Sequence, residues 1–120
     1  MAFLDGVVIA VPETHRAAYK AEAERLAELF VEYGATEVVD AWGLDVPDGE
    51  VTSFPMAVAR KEGEAVVLGW VSWPDKTIRD AAWSKIMENP RMKDFPGDLF
   101  DGKRMIIGGF DVIQHTRKGG

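Results

Sequence analysis

The sequence predicts an α+β domain of the ferredoxin-like kind, β-α-β-β-α-β, with room for one extra hairpin strand. Three observations carry that prediction. Stretches rich in β-branched residues alternate with two helical patterns in that order along the 120 residues. Each helical pattern opens on a start signal and closes on a stop signal. Both faces of the first and last strands are apolar, as in Val7 and Ile9 against Val8 and Ala10, or Ile106 and Phe110 against Ile107 and Ile113. A sheet with helices on one side and water on the other should alternate more cleanly. A second sheet is therefore expected on the open face, and a second copy of the chain is the most economical source.

Phe3 to Val11 reads as the first strand, ended by Pro12, whose missing N–H costs nothing at a helix start. Glu13 to Tyr33 has helical spacing, with Tyr19, Ala23, Leu26, Ala27, Phe30 and Tyr33 on one face and Gly34 where a C-terminal cap belongs. Arg16, Lys20, Glu24, Glu28 and Glu32 form its solvated face. A second strand is expected from Thr36 to Leu44, followed by a turn-rich loop, Asp45-Val46-Pro47-Asp48-Gly49. Ser53 to Arg60 and Ala65 to Trp73 read as a hairpin joined by Lys61-Glu62-Gly63-Glu64. Asp75 is the expected N-cap of a second helix running to Glu88, with Ile78, Ala82 and Ile86 on one stripe. Asn89-Pro90 closes that helix. Residues 92–100 are irregular, and Lys103 to Ile113 forms the last strand. The domain is expected to span residues 1–113, leaving 114–120 as a polar tail.

Composition removes several function classes. The chain has no cysteine, which excludes disulfides, thiolate zinc sites, iron–sulfur clusters and cysteine nucleophiles. A net charge of −6 argues against binding to a phosphate backbone, so no nucleic-acid partner is expected. No apolar run reaches the length of a membrane span, and the first six residues lack the basic segment of a signal peptide. A cytoplasmic protein without a membrane partner is the expectation. There is no nucleophile elbow, phosphate loop, zinc-binding His pair or dinucleotide fingerprint. His15 and His115 stand near a helix start and the chain end, where exposure is expected; neither is placed as an axial haem ligand, and no cofactor is expected.

The strand carboxylates are the sharper candidates. Asp5, Asp40 and Asp111 interrupt apolar runs, and aspartate is seldom buried without a partner. By two-residue alternation Asp40 and Trp42 share a strand face. A carboxylate against an aromatic wall suits acid–base work near neutrality. The plainer reading pairs these aspartates with Arg60, Lys103 or Arg104. Asp40, Trp42 and Arg104 are the catalytic candidates; Trp42, Arg91, Lys103 and Arg104 are the ligand-binding candidates, since converging arginines suit an anionic small molecule. The plainer alternative has Arg79 and Arg91 tying the second helix to Asp48 or Asp101. The four tryptophans, Trp42, Trp70, Trp73 and Trp83, fit either an aromatic-lined cavity or the core and an interface between subunits.

An ordered series of motifs carries a resemblance. Asp5-Gly6, Trp42 with Asp45-Val46-Pro47-Asp48-Gly49, Val51-Thr52-x-Phe54, Pro74-x-Lys76-x-x-Arg79-Asp80, Asn89-Pro90-Arg91-Met92 and Phe100-Asp101-Gly102-Lys103-Arg104-Met105-Ile106-x-Gly108-Gly109-Phe110 together resemble the YbaA-like family of bacterial domains. The resemblance spans about residues 3 to 113. The sequence departs from the family pattern at Ala41, at Leu44, where an acidic residue is usual, and at Ile107, where a tyrosine is usual. The resemblance implies the dimeric α/β-barrel superfamily, whose members include cofactor-independent monooxygenases, small isomerases and haem-dependent dismutases. The resemblance itself assigns no reaction; a homodimer with a small-molecule pocket is the expectation, and a cofactor-independent oxygenase or isomerase is the first reading of that pocket. The alternatives are a non-catalytic ligand-binding protein and a structural dimerisation protein.

Overall fold

The computed structural model describes residues 2–119. Its four-stranded antiparallel sheet comprises β1 (Phe3–Pro12), β2 (Glu37–Trp42), β3 (Glu64–Trp73) and β4 (Ile106–Asp111), in the order β2-β3-β1-β4. The helices are α1 (Arg16–Glu32), α2 (Phe54–Ala57), α3 (Lys76–Ile86) and α4 (Pro90–Lys93). This is the ferredoxin-like arrangement. β1 and β3, which are the longest and most β-branched strands, lie at the centre, where both edges are paired.

Odd-numbered residues of β1 face the long helices. Phe3 joins Leu29, Trp73, Ala82 and Ile86 in one apolar cluster; Ile9 and Val11 join Tyr19, Val67 and Leu99 in another. Leu29, Trp73 and Ile86 have no exposed surface, so α1 and α3 are fixed to the sheet mainly by burial of these side chains. The sequence cues at the helix ends act as expected in two places. The Asp75 carboxylate accepts the Ile78 N–H at 2.8 Å, and Gly34 takes a positive φ of 115° after α1. The start of the first helix differs: Glu13–His15 is a 3₁₀ turn, and Pro12 closes β1.

The main departure is the expected strand from Ser53 to Arg60. That segment folds as the short helix α2, with Pro55 in its first turn and the Ser53 hydroxyl accepting the Met56 N–H at 3.1 Å. Proline at this place and serine before it favour a helical turn over a ladder. No hairpin joins residues 53–60 to β3. The antiparallel partner of β3 is β2, with Asp40 opposite Gly69 and Trp42 opposite Val67. The last strand is also shorter than expected, because the Asp101 carboxylate caps a 3₁₀ turn at Gly102–Arg104 before β4 begins.

Even-numbered residues of β1 face away from α1 and α3. Val8, Ala10 and Val66 are covered by Val58 beside α2, but the rest of this face is open. Leu68, Ile106 and Phe110, at 38%, 43% and 57% exposure, stand on it with half-buried Leu4 and Trp70. The apolar second face read from the sequence is therefore present. No helix among the described residues is long and apolar enough to cross a membrane.

Candidate functional site

A pocket of about 670 Å³ lies between the helix-facing side of the sheet and α1, α3 and the segment after α3. That volume is in the range of small-molecule sites. Val7, Ile9, Val38 and Val71 form its floor, Leu26 and Phe30 of α1 and Trp83 of α3 its walls, and Met92, Phe95, Phe100 and Met105 its far side. Four titratable side chains line it: Asp5, Tyr19, Asp40 and Arg79.

Asp5 and Arg79 are bound to each other. Arg79 Nη2 donates to Asp5 Oδ1 at 2.6 Å, and its Nε reaches both carboxylate oxygens at 3.1 Å. The indole N–H groups of Trp73 and Trp83 donate to Asp5 Oδ2 at 2.8 and 2.9 Å. Burial opposes ionisation of Asp5, but these donors together outweigh it and hold its carboxyl below the ordinary value. The other arm of Arg79 donates to Asp80 at 2.9 Å, and its guanidinium lies 5.1 Å from the Phe3 ring. This cluster locks α3 to β1.

Asp40 is in the opposite condition. The β2–β3 register sets it on the helix-facing side opposite Gly69, which is itself opposite Val7. A side chain at position 69 would compete for the space that the carboxylate uses: an added Cβ would lie 3.1 Å from Asp40 Oδ1 and 3.1 Å from Val7 Cγ1. Among the described residues Asp40 forms no ion pair. Asp40 is exposed at the mouth of the pocket, yet the atoms packed on its inner side remove enough hydration to raise its pKa. The neighbouring Tyr19 phenol opposes that rise without cancelling it. The same neighbourhood keeps the Tyr19 phenol protonated, through burial first and the Asp40 charge second. The pair is thus a proton acceptor beside a neutral donor on an otherwise apolar wall.

The remaining sequence candidates lie elsewhere. Trp42 shares the strand face of Asp40, as alternation predicts, but its ring packs edge-on to Tyr19 at 6.5 Å and lies 5.3 Å from the Arg16 guanidinium. It borders a separate cleft of about 230 Å³. Arg91 Nη2 meets Glu32 at 2.5 Å on the surface of α1, away from Asp48 and Asp101. Arg104 forms a two-pronged pair with Glu64, both contacts at 2.7 Å, and also binds Asp101 at 3.0 Å. Lys103 is exposed and contributes its backbone N–H to the Asp101 cap. None of Trp42, Arg91, Lys103 and Arg104 is among the lining residues of the large pocket, and Arg91 and Arg104 do not converge. His15 departs from its expected exposure: it is half-buried and donates from Nδ1 to the Leu99 carbonyl at 2.8 Å. Sequence reasoning assigned Tyr19 to packing and Arg79 to a tie with Asp48 or Asp101; the signal available for Tyr19 was a phenol on a buried helix face, where a hydroxyl needs a polar neighbour. Among the described residues no group of three or more His, Asp and Glu side chains is placed to hold a metal ion.

The family model described as "Protein of unknown function (DUF1428)" matches residues 2–102. The chain belongs to this family. It is 51% identical over 114 residues to the uncharacterized protein YbaA of Escherichia coli, covering 94% of this chain and 97% of that one, and the same figures hold for YbaA of Shigella flexneri. Two solved structures share the fold at low identity. The cofactor-independent oxygenase SnoaB from Streptomyces nogalater matches with a TM-score of 0.62 and 15% identity over 98% of both chains. Rv0793 from Mycobacterium tuberculosis matches with a TM-score of 0.54 and 10% identity, over 98% of this chain and all of that one. As a member of the YbaA family the chain carries the ferredoxin-like fold of these neighbours, and the pocket described above is its own.

Proposed function

We propose that this YbaA-family protein binds a small, largely apolar molecule between sheet and helices, and that Asp40 takes a proton from it. The observation that carries the reading is a carboxylate without an ion pair at the mouth of an apolar pocket, with its pKa raised above the ordinary aspartate value. In the step, a C–H or O–H bond of the ligand breaks, the proton passes to an Asp40 oxygen, and the electron pair delocalises into the ligand as an enolate or phenolate. Tyr19 keeps its proton beside the carboxylate. Return of the proton at another carbon gives an isomerase; capture of the carbanion by dioxygen gives a cofactor-independent oxygenase, as SnoaB is.

Carboxyl-carbon NMR, with Asp40→Asn to assign the signal, tests the reading. Asp40 should titrate above the ordinary aspartate value of 3.8. Wild-type protein should also speed deuterium exchange into an enolisable bicyclic ketone, and Asp40→Asn should not. Titration at or below the ordinary value would remove Asp40 as a base and leave the pocket as a binding site without chemistry.

We also infer that a second copy covers the open sheet face. Leu68, Trp70, Ile106 and Phe110 present a continuous apolar surface of the kind that marks an association site. Light scattering should give a dimer at micromolar concentration, and Phe110→Glu should shift it to monomer. A wild-type monomer at that concentration would refute the inference.

A further inference from the structure

Resting on the pocket reading, we propose that the ligand is uncharged and meets the Asp40–Tyr19 pair through a weakly acidic hydroxyl, a phenol or an enol, and that carboxylates and phosphates are excluded. The charge arrangement argues for this. Among the described residues Arg79 is the one cation lining the pocket, and two carboxylates already answer it: Asp5 through Nε and Nη2, and Asp80 through Nη1. Of the arginines that the sequence offered as anion ligands, Arg91 is paired with Glu32 and Arg104 with Glu64 and Asp101. Once Asp5 and Arg79 cancel, Asp40 is the uncompensated charge of the lining. An anionic group beside it would face a like charge, with the apolar wall of the pocket on its inner side.

A hydroxyl fits the same place. An ionised carboxylate accepts hydrogen bonds and donates none, so the ligand atom facing it must bring the hydrogen. Such a charge-assisted bond is shorter and stronger than one between neutral groups. The remainder of the lining, from Val7 and Ile9 to Phe95 and Phe100, offers hydrocarbon contact alone, which suits a flat ring system. An anionic ligand, drawn by converging arginines, is the opposite of what these pairings allow.

Three probes with one body separate the outcomes: pyrene, 1-hydroxypyrene and pyrene-1-carboxylate. Affinity is read by quenching of tryptophan emission at neutral pH, and location by backbone amide shifts at Val7, Gly69 and Ile107. The expected result is that 1-hydroxypyrene binds at least tenfold tighter than pyrene-1-carboxylate and more tightly than pyrene. Asp40→Asn should bring the hydroxyl and carboxylate probes within about threefold of each other. Amide dispersion shows whether that variant is folded, and Asp40→Ser, which removes the same charge and should narrow the same ratio, stands in for it if it is not. A carboxylate probe that binds wild-type protein as tightly as the hydroxyl probe overturns the ligand class and leaves the pocket reading standing. A ratio unchanged in folded Asp40→Asn overturns the role of Asp40. Absence of binding and of amide shifts for all three probes overturns the pocket reading itself.

Discussion

Replacing Asp5 by alanine tests whether the cluster beneath the pocket holds α3 to the sheet. The change removes the acceptor for three donors at once: the Arg79 guanidinium and the Trp73 and Trp83 indoles. Trp73 has no exposed surface, so its N–H would be left buried without a partner, at a cost of about 1–3 kcal/mol. Trp83 borders the pocket and can turn to water, and Arg79 keeps Asp80. Breaking one side of a largely buried ion pair costs about 3–5 kcal/mol, which already includes part of the indole term. We therefore expect Asp5→Ala to lose about 3–5 kcal/mol, and Asp5→Asn somewhat less, since its one oxygen can still accept from Trp73 while its amide faces the guanidinium. Urea unfolding followed by circular dichroism gives the value, and the two indole N–H resonances report the lost bonds directly. Asp80→Ala, which removes only the exposed partner of Arg79, should shift the midpoint slightly. A loss below about 1 kcal/mol for Asp5→Ala would refute the reasoning, because it would mean that water replaces all three donors' partner without cost.

Three further outcomes follow from neighbouring geometry. Glu64 has its carboxyl lowered from 4.5 to about 2, chiefly by Arg104; its stabilisation is present above the unfolded value and lost as pH falls toward 2. The melting-temperature gap between wild type and Glu64→Gln should therefore shrink between pH 5 and pH 2, and a constant gap would contradict the assignment. Asp40, raised in the folded state, works the other way: it disfavours folding above its folded pKa, so Asp40→Asn should equal or exceed wild type in melting temperature at pH 7. An added Cβ at Gly109 would lie 2.7 Å from Cζ of the buried Phe3 ring and 3.1 Å from Arg79 Nη2. Gly109→Ala should thus cost about 1–3 kcal/mol by overpacking, measured by urea unfolding.

How much of this was legible depends on the kind of signal. The two long helices and the central strands follow from periodicity and capping, because those are local effects. The segment from Ser53 to Arg60 misled because Phe54, Met56 and Val58 alternate as in a strand, whereas Ser53 and Pro55 decide its local geometry. Asp40 was recoverable, since alternation within one strand fixes the face that a residue occupies. Trp42 shares that face but lies two positions along β2, against Tyr19 and Arg16, beyond the pocket lining. The choice of partners was not recoverable. Arg79 meets Asp5, 74 positions away, and Arg104 meets Glu64, 40 positions away, and no local rule selects these carboxylates over Asp48 or Asp101.

Gly69 has a consequence of a different order. Its φ is not in the left-handed region, so the backbone there would accept any L-residue, and a strand interior is an ordinary place for valine or threonine. What the position requires is emptiness: the carboxylate of another strand uses the room that a side chain would fill. A homologue could thus keep Asp40, Tyr19 and every contact around Asp5, and still lose the space beside the carboxylate to a single branched residue in the middle of β3. Within the family, an intact set of polar residues is then a poor guide to a working site unless the space beside them has been inherited too.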